Sequence, residues 1–212
     1  MLNLFDEIHD STINLLPEGG TLNYYGKILS QEDSNSYFEK LLGNIDWKND
    51  EAIIYGKRII TARKAAWYGN KEYNYTYSNT TKQAFPWTDQ LLQLKQIIEE
   101  KTSETFNSCL LNLYHNGDEA MAWHSDGEKT LKENGAIASM SFGAERVFQF
   151  KHKQNGKQIQ LLLEHGSLLI MKDETQKNWL HRLAKSSKIK TPRINLTFRT
   201  IVGQSKFSTS LS

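Results

Sequence analysis

The 212 residues carry 26 basic and 24 acidic side chains, a net charge of +2, with 38% hydrophobic and 24% charged residues. This suits one soluble globular domain, or one domain with an appendage. It excludes a helical membrane protein, because no apolar run approaches the roughly 18 residues a span needs, and an internal disulfide framework, because Cys109 is the sole cysteine.

The charge is uneven. Residues 1–50 hold nine acids and three bases, and residues 51–212 hold 15 acids and 23 bases. A basic C-terminal body favours polyanionic partners such as nucleic acid. No basic segment followed by an apolar core opens the chain, so an intracellular location is expected, cytoplasmic in a bacterium or nuclear in a eukaryote.

In chain order, residues 1–20 look irregular and Leu22 to Leu29 is a short strand. Ser34 to Leu42 is an amphipathic helix, with Gly43 as its C-cap. Glu51 to Thr61, with Gly56-Lys57 in the middle, suggests a hairpin. The segment from Ala62 to Ser78 interleaves basic and aromatic side chains. Such residues neutralise phosphates and stack on nucleobases. The same segment equally suits a β-rich stretch with half-buried tyrosines. Pro86 and the leucines after it predict a helix from about Trp87 to Lys101. Strands then dominate: Cys109–Tyr114, Ala136–Phe142, Arg146–His152, Gln158–Glu164, Ser167–Lys172 and Ile194–Val202. Short strands between turns describe a sandwich or barrel.

The chemistry centres on His124-Ser125-Asp126. Side chains two apart on an extended chain point the same way, so His124 and Asp126 can share one ion. A distant histidine, His181, would complete a two-histidine, one-carboxylate facial triad with open positions for oxygen and a co-substrate. By spacing alone such tripeptides also arise by chance. The other histidines fit less well: His152 sits among lysines and is expected to be exposed, and His165 is a turn residue. Further on, Arg193, Asn195, Thr197 and Arg199 alternate with Ile194, Leu196 and Phe198, which puts the four polar groups on one strand face. On a half-exposed strand that face meets water. Inside a barrel it buries two guanidiniums, which then need anions, and a dicarboxylate supplies two. Asn112 and Tyr114 share a parity on the strand leading to the ion pair and can bond the same ligand. Together these imply a 2-oxoglutarate site.

With these motifs in place, the sequence resembles the AlkB family of iron(II)- and 2-oxoglutarate-dependent dioxygenases from about Ile53 to Val202. The residues carrying the likeness are Asn112-x-Tyr114, His124-x-Asp126, His181 and Arg193-x-Asn195-x-Thr197-x-Arg199. Ala138-Ser139-x-Ser141-Phe142-Gly143-Ala144-x-Arg146 and Glu164-His165-Gly166-Ser167-Leu168 extend it. The resemblance implies a mainly β fold with flanking helices (α+β), a double-stranded β-helix or jelly roll with an N-terminal nucleotide-recognition lid. The expected division is an extension over 1–50, a lid and hairpin over 51–85, the core over 86–203 and a tail over 204–212. It implies Fe(2+) at His124, Asp126 and His181, 2-oxoglutarate at Asn112, Tyr114, Arg193, Asn195, Thr197 and Arg199, and O2 as oxidant. Arg63-Lys64, Trp67-Tyr68-Gly69 and Tyr75-Thr76-Tyr77-Ser78 resemble the family's lid, and Tyr55-Gly56-Lys57 its base-displacing hairpin.

The implied activity is oxidative demethylation of N-alkylated bases such as 1-methyladenine and 3-methylcytosine in DNA, or RNA, by a monomer that takes a flipped or single-stranded base. Rivals are an oxygenase acting on RNA or a protein side chain, a non-enzymatic binding module and a zinc hydrolase. The R-x-N-x-T-x-R face argues against the last two. Repair members often place an acid directly after the iron aspartate, whereas Gly127 stands here and Glu128 follows. Lys57, Arg63, Lys64, Lys185, Lys188 and Lys190 are candidates for phosphate contacts. Cationic lesions call for an aromatic face and a nearby anion, supplied by Tyr75 and Glu128.

Overall fold

The computed structural model describes residues 10–54, 57–71, 73–77 and 80–202, with side chains over 10–49, 60–71, 73 and 83–202. In order these form β1 (Thr21–Lys27), α1 (Gln31–Asn44), β2 (Lys48–Ile54), β3 (Lys57–Gly69), β4 (Asn74–Tyr77), β5 (Thr80–Gln83), α2 (Asp89–Thr102) and β6 (Ser108–Tyr114). There follow β7 (Met121–His124), β8 (Ile137–Gly143), β9 (Arg146–His152), β10 (Gln158–Leu163), β11 (Ser167–Lys172), α3 (Thr175–Asn178), β12 (Trp179–Leu183) and β13 (Arg193–Arg199).

Capping sets the two long helices. Ser30 accepts from the Asp33 amide at the start of α1, and Thr88 accepts from the Leu91 amide at the start of α2. Gly43, expected as a C-cap, lies inside α1, which runs one residue further and is capped by Ile45. Pro86 stands before the Thr88 cap and not in the first turn of α2.

A seven-stranded sheet, ordered β1-β11-β8-β13-β6-β3-β2, faces a four-stranded sheet, ordered β10-β9-β12-β7. The recorded strand pairings in both are antiparallel. This is the expected jelly roll. Residues 21–44, within the expected extension, supply an edge strand and a covering helix. From Lys64 to Gly69 the expected lid segment is a strand paired to β6. Among the described residues, β4 and β5 alone form a separate two-stranded hairpin.

The large sheet has two unlike faces. Outward, Ile194, Leu196 and Phe198 of β13 join Leu111 and Leu113 of β6 and Met140 and Phe142 of β8 under Leu91, Leu94 and Ile98 of α2. Each such side chain, removed from water, contributes about 1.5–3 kcal/mol. Buried Cys109 belongs to this layer, as expected for a small apolar strand residue. Inward, one end of the barrel is apolar: Leu22, Ile137, Leu169 and Met171 meet Phe150, Leu163 and Trp179 from the small sheet. His152, expected to be exposed, is buried there against Trp179, with ring centroids 5.0 Å apart. The other end of the interior is polar, and the site lies there.

Candidate active site

Three strands of the large sheet set a polar row across the interior. Arg193 is in register with Tyr114, Asn195 with Asn112 and Ser141, and Thr197 with Ser139. Since β6 and β8 flank β13 on opposite sides, their inward side chains converge on its polar face. The Arg193 guanidinium donates to Ser141 Oγ at 3.0 Å and Asn195 Oδ1 at 2.8 Å. Asn195 also accepts from Ser139 at 2.9 Å and donates to Thr197 at 2.9 Å. Asn195 thus orients its neighbours.

The two arginines are in different electrostatic states. Arg199 lies between two carboxylates, 3.6 Å from Asp126 and 3.2 Å from Glu128. Burial pushes Arg199 down, but these acids outweigh it and its pKa is raised. Arg193 is buried at 3% exposure, and among the described residues no acid pairs with it. Burial drives its pKa down to about 10, against a smaller opposing effect of Tyr114, and its Nε has no hydrogen-bond partner. A buried cation without an anion is costly, so this pocket is built for an anionic ligand.

The small sheet supplies the opposite wall. His124 ends β7 and is in register with His181 on β12, their ring centroids 4.3 Å apart. Asp126 lies just beyond the strand. One ligand atom from each of His124, Asp126 and His181 falls within 4.8 Å of the others. The Ala122 carbonyl, 2.8 Å from His124 Nδ1, selects the tautomer protonated there and leaves Nε2 free, 3.8 Å from Asp126 Oδ1. His181 Nδ1 is buried without a hydrogen-bond partner. Burial pushes the His181 imidazole down to about 4, so it is neutral at pH 7, as a metal ligand must be. Burial raises the Asp126 carboxyl, but Arg199 and the two histidines outweigh this and hold it below its ordinary value. Two imidazoles with free lone pairs and an ionised carboxylate fit a divalent iron.

The remaining candidates divide. Asn112 and Tyr114 are buried beside Arg193, as their parity requires. Arg63, expected to contact phosphate, is instead buried at 8% exposure, 5.9 Å from the Tyr114 ring centre and 3.1 Å from Met121 Sδ. It stands one strand beyond Tyr114, with Arg193 5.6 Å from the same ring. One Glu128 oxygen is drawn to Arg199, while its second is buried with no partner. Tyr75, Thr76 and Tyr77 form β4 of the separate hairpin. Lys57 begins β3, while Tyr55 and Gly56 lie outside the described residues. The hairpin's flanks are tied to β3 by Tyr73 stacked on Trp67, centroids 6.2 Å apart, and by Phe85, whose N–H donates to the Trp67 carbonyl and whose carbonyl accepts from the Gly69 N–H.

Sequence reasoning assigned no role to Ser139 and Ser141, although their spacing of two places both inward. It also missed the role of Arg146, which donates to the carbonyls of Asn116, Glu119 and Ala184 and so joins the β6–β7 loop to the chain just after β12.

A family model described as the 2OG-Fe(II) oxygenase superfamily matches residues 21–199. The jelly roll and the His–Asp–His cluster are thus those of an iron- and 2-oxoglutarate-dependent oxygenase. Relatives narrow the class. Alpha-ketoglutarate-dependent dioxygenase alkB homolog 3 of Bos taurus is 42% identical over 180 residues, 80% of this chain and 62% of the relative. The Homo sapiens protein of that name is 39% identical over 200 residues, 89% of this chain and 69% of the relative. DNA oxidative demethylase ALKBH2 of Homo sapiens is 34% identical over 189 residues, 84% and 72%. The solved structure of OsALKBH1 superposes with a TM-score of 0.59 at 15% identity, covering 87% of this chain and 99% of that one. The chain belongs to the AlkB family of 2-oxoglutarate-dependent dioxygenases. It spans just under two thirds of its bovine relative.

Proposed function

We propose that the protein removes methyl groups oxidatively from N-alkylated bases of nucleic acid, with DNA lesions such as 1-methyladenine and 3-methylcytosine as principal substrates and RNA as a further one. The observation that carries this is Arg193, buried with no acid paired to it among the described residues, in the same barrel interior as a His–Asp–His cluster. The pocket asks for an anion beside a metal site, as a 2-oxoglutarate-dependent oxygenase requires. Relatives named as DNA oxidative demethylases support the choice of substrate.

His124, Asp126 and His181 would hold iron(II). With 2-oxoglutarate and oxygen it supplies hydroxylation of a C–H bond, yielding succinate and carbon dioxide. The protein's residues do the rest. Arg193, oriented by Ser141 and Asn195, grips a co-substrate carboxylate, and Tyr114 and Asn112 line the same pocket. Arg199 pairs with both Asp126 and Glu128 and, with the two histidines, holds the Asp126 carboxyl below its ordinary value. A hydroxylated N-methyl group is a hemiaminal and loses formaldehyde spontaneously.

A base inside a duplex does not reach the metal, so the lesion enters flipped out or from a single strand. The β4–β5 hairpin, joined to β3 through the stack of Tyr73 on Trp67, is the element that would cover the entering base in this account. The protein acts as a monomer inside the cell in this account. The test is succinate formation from 2-oxoglutarate with methylated and unmethylated oligonucleotides of one sequence. The proposal expects turnover to be stimulated by the methylated strand. Equal succinate with both strands would refute it.

A further inference from the structure

We infer that Gln176 is a positioning residue for the Asp126 carboxylate, and that the segment Glu18–Thr21 fixes it through α3; this rests on the metal reading of the His–Asp–His cluster. Strand β7 stops at His124, so no strand ladder holds the Asp126 main chain. Its N–H donates instead to the side-chain oxygen of Gln176, 50 residues away, at 2.9 Å. A second tie acts on the preceding residue: Lys153 donates to Ser125 Oγ at 3.1 Å and to the Gln176 carbonyl at 2.9 Å. Gln176 lies in the four-residue α3, which runs directly into the strand bearing His181. One short helix therefore sets the carboxylate segment against the histidine strand.

That helix is itself held from below. The Thr175 hydroxyl accepts from the Thr21 amide at 2.9 Å and donates to the Lys172 carbonyl at 2.6 Å. Asn178 donates to the Gly19 carbonyl at 3.1 Å, and the Trp179 indole to the Glu18 carbonyl at 3.0 Å. Gly20 has φ +146°, and a Cβ there would stand 2.6 Å from the Thr175 main chain, so the strap lies flush on α3. Residues 18–21 thus reach the metal cluster through one amide side chain. Metal affinity is sensitive to such supporting bonds because they fix the orientation of the ligand.

Gln176→Met keeps the length and helix preference of the side chain and removes the acceptor. Gln176→Glu keeps an acceptor oxygen at the same reach. Metal-free protein is titrated with cobalt(II), following its visible absorption, with circular dichroism checking the fold. The expected result for Gln176→Met is cobalt binding weakened about 10–100-fold with an altered band pattern, and for Gln176→Glu binding close to the parent's. Unchanged affinity and spectrum in Gln176→Met, or an equal loss in Gln176→Glu, would overturn the inference alone. Failure of the parent protein to bind cobalt would overturn the metal reading and this inference with it. Hydrogen exchange at the Asp126 amide of the parent gives a reading independent of any variant: protection is expected, and exchange at the open-chain rate overturns the inference.

Discussion

Replacing Arg193 with methionine separates a ligand-binding role from a structural one, because the two predict opposite signs. The guanidinium is buried with no acid beside it among the described residues, and its pKa falls from 12.5 to about 10. At about 1.4 kcal/mol per unit, the charged form is penalised in the fold by roughly 3 kcal/mol. The sign follows from linkage: a cation with a depressed folded pKa destabilises the protein at every pH below about 10, and relief comes only above it. At pH 7 the penalty is complete. Methionine removes it and forfeits the bonds to Ser141 and Asn195, about 1–3 kcal/mol together. The ligand-free variant should therefore be as stable as the parent, or more stable by up to about 2 kcal/mol. Its affinity for 2-oxoglutarate should fall about 10–150-fold, the worth of one charge-assisted contact at roughly 1.5–3 kcal/mol. Thermal melts with cobalt(II) and graded 2-oxoglutarate read both quantities. A parent stabilised by 2-oxoglutarate and a variant that is not, with similar ligand-free melting, is the expected result. A variant melting well below the parent yet responding equally to 2-oxoglutarate would refute the reasoning.

Other perturbations act on single contacts. His181 has a folded pKa near 4 against an ordinary 6.5, so it is neutral in both folded and unfolded chains above pH 6.5 and destabilises the fold increasingly as pH falls from 6.5 toward 4. His181→Phe should flatten that part of the metal-free stability profile in denaturant titrations, by roughly 3 kcal/mol between the ends. Gly127 faces open space, and a Cβ there meets nothing within 4 Å. Gly127→Ala should leave melting unchanged or raise stability by about 0.4–1 kcal/mol, as calorimetry will show. Glu128 gives one oxygen to Arg199 and keeps a buried, unpartnered one. Glu128→Gln should therefore lower formaldehyde release from 1-methyladenine more than from the neutral 3-methylthymine, and equal losses would assign the carboxylate to Arg199 alone.

Much of this site was legible because β strands repeat every two residues. The alternation from Arg193 to Arg199 gave one polar and one apolar face, and the parity of Asn112 and Tyr114 placed them opposite. What stayed hidden depends on long-range contact. Arg63 sits among basic and aromatic residues, a surface-like composition, yet its strand continues into the large sheet and turns it inward against Tyr114. His152 lies among lysines, yet strand parity puts its ring against Trp179. Strands β7 and β12 are short, and α3 is a single turn, so periodicity had too few residues to reveal them. The bond from Gln176 to Asp126 spans 50 positions and follows from no local pattern. Arg199 and Glu128, 71 positions apart, are another such pair.

The central claim, oxidative removal of a methyl group from a base at the His124–Asp126–His181 cluster, is tested most directly by product analysis of an oligonucleotide with a single 1-methyladenine. The protein is incubated with it, iron(II), 2-oxoglutarate and oxygen, beside reactions lacking either cofactor and a reaction with Asp126→Ala. The account predicts unmodified adenine in the strand and one formaldehyde per base restored, in the complete reaction alone. Intact 1-methyladenine after complete turnover of 2-oxoglutarate, or equal repair by Asp126→Ala, would contradict it.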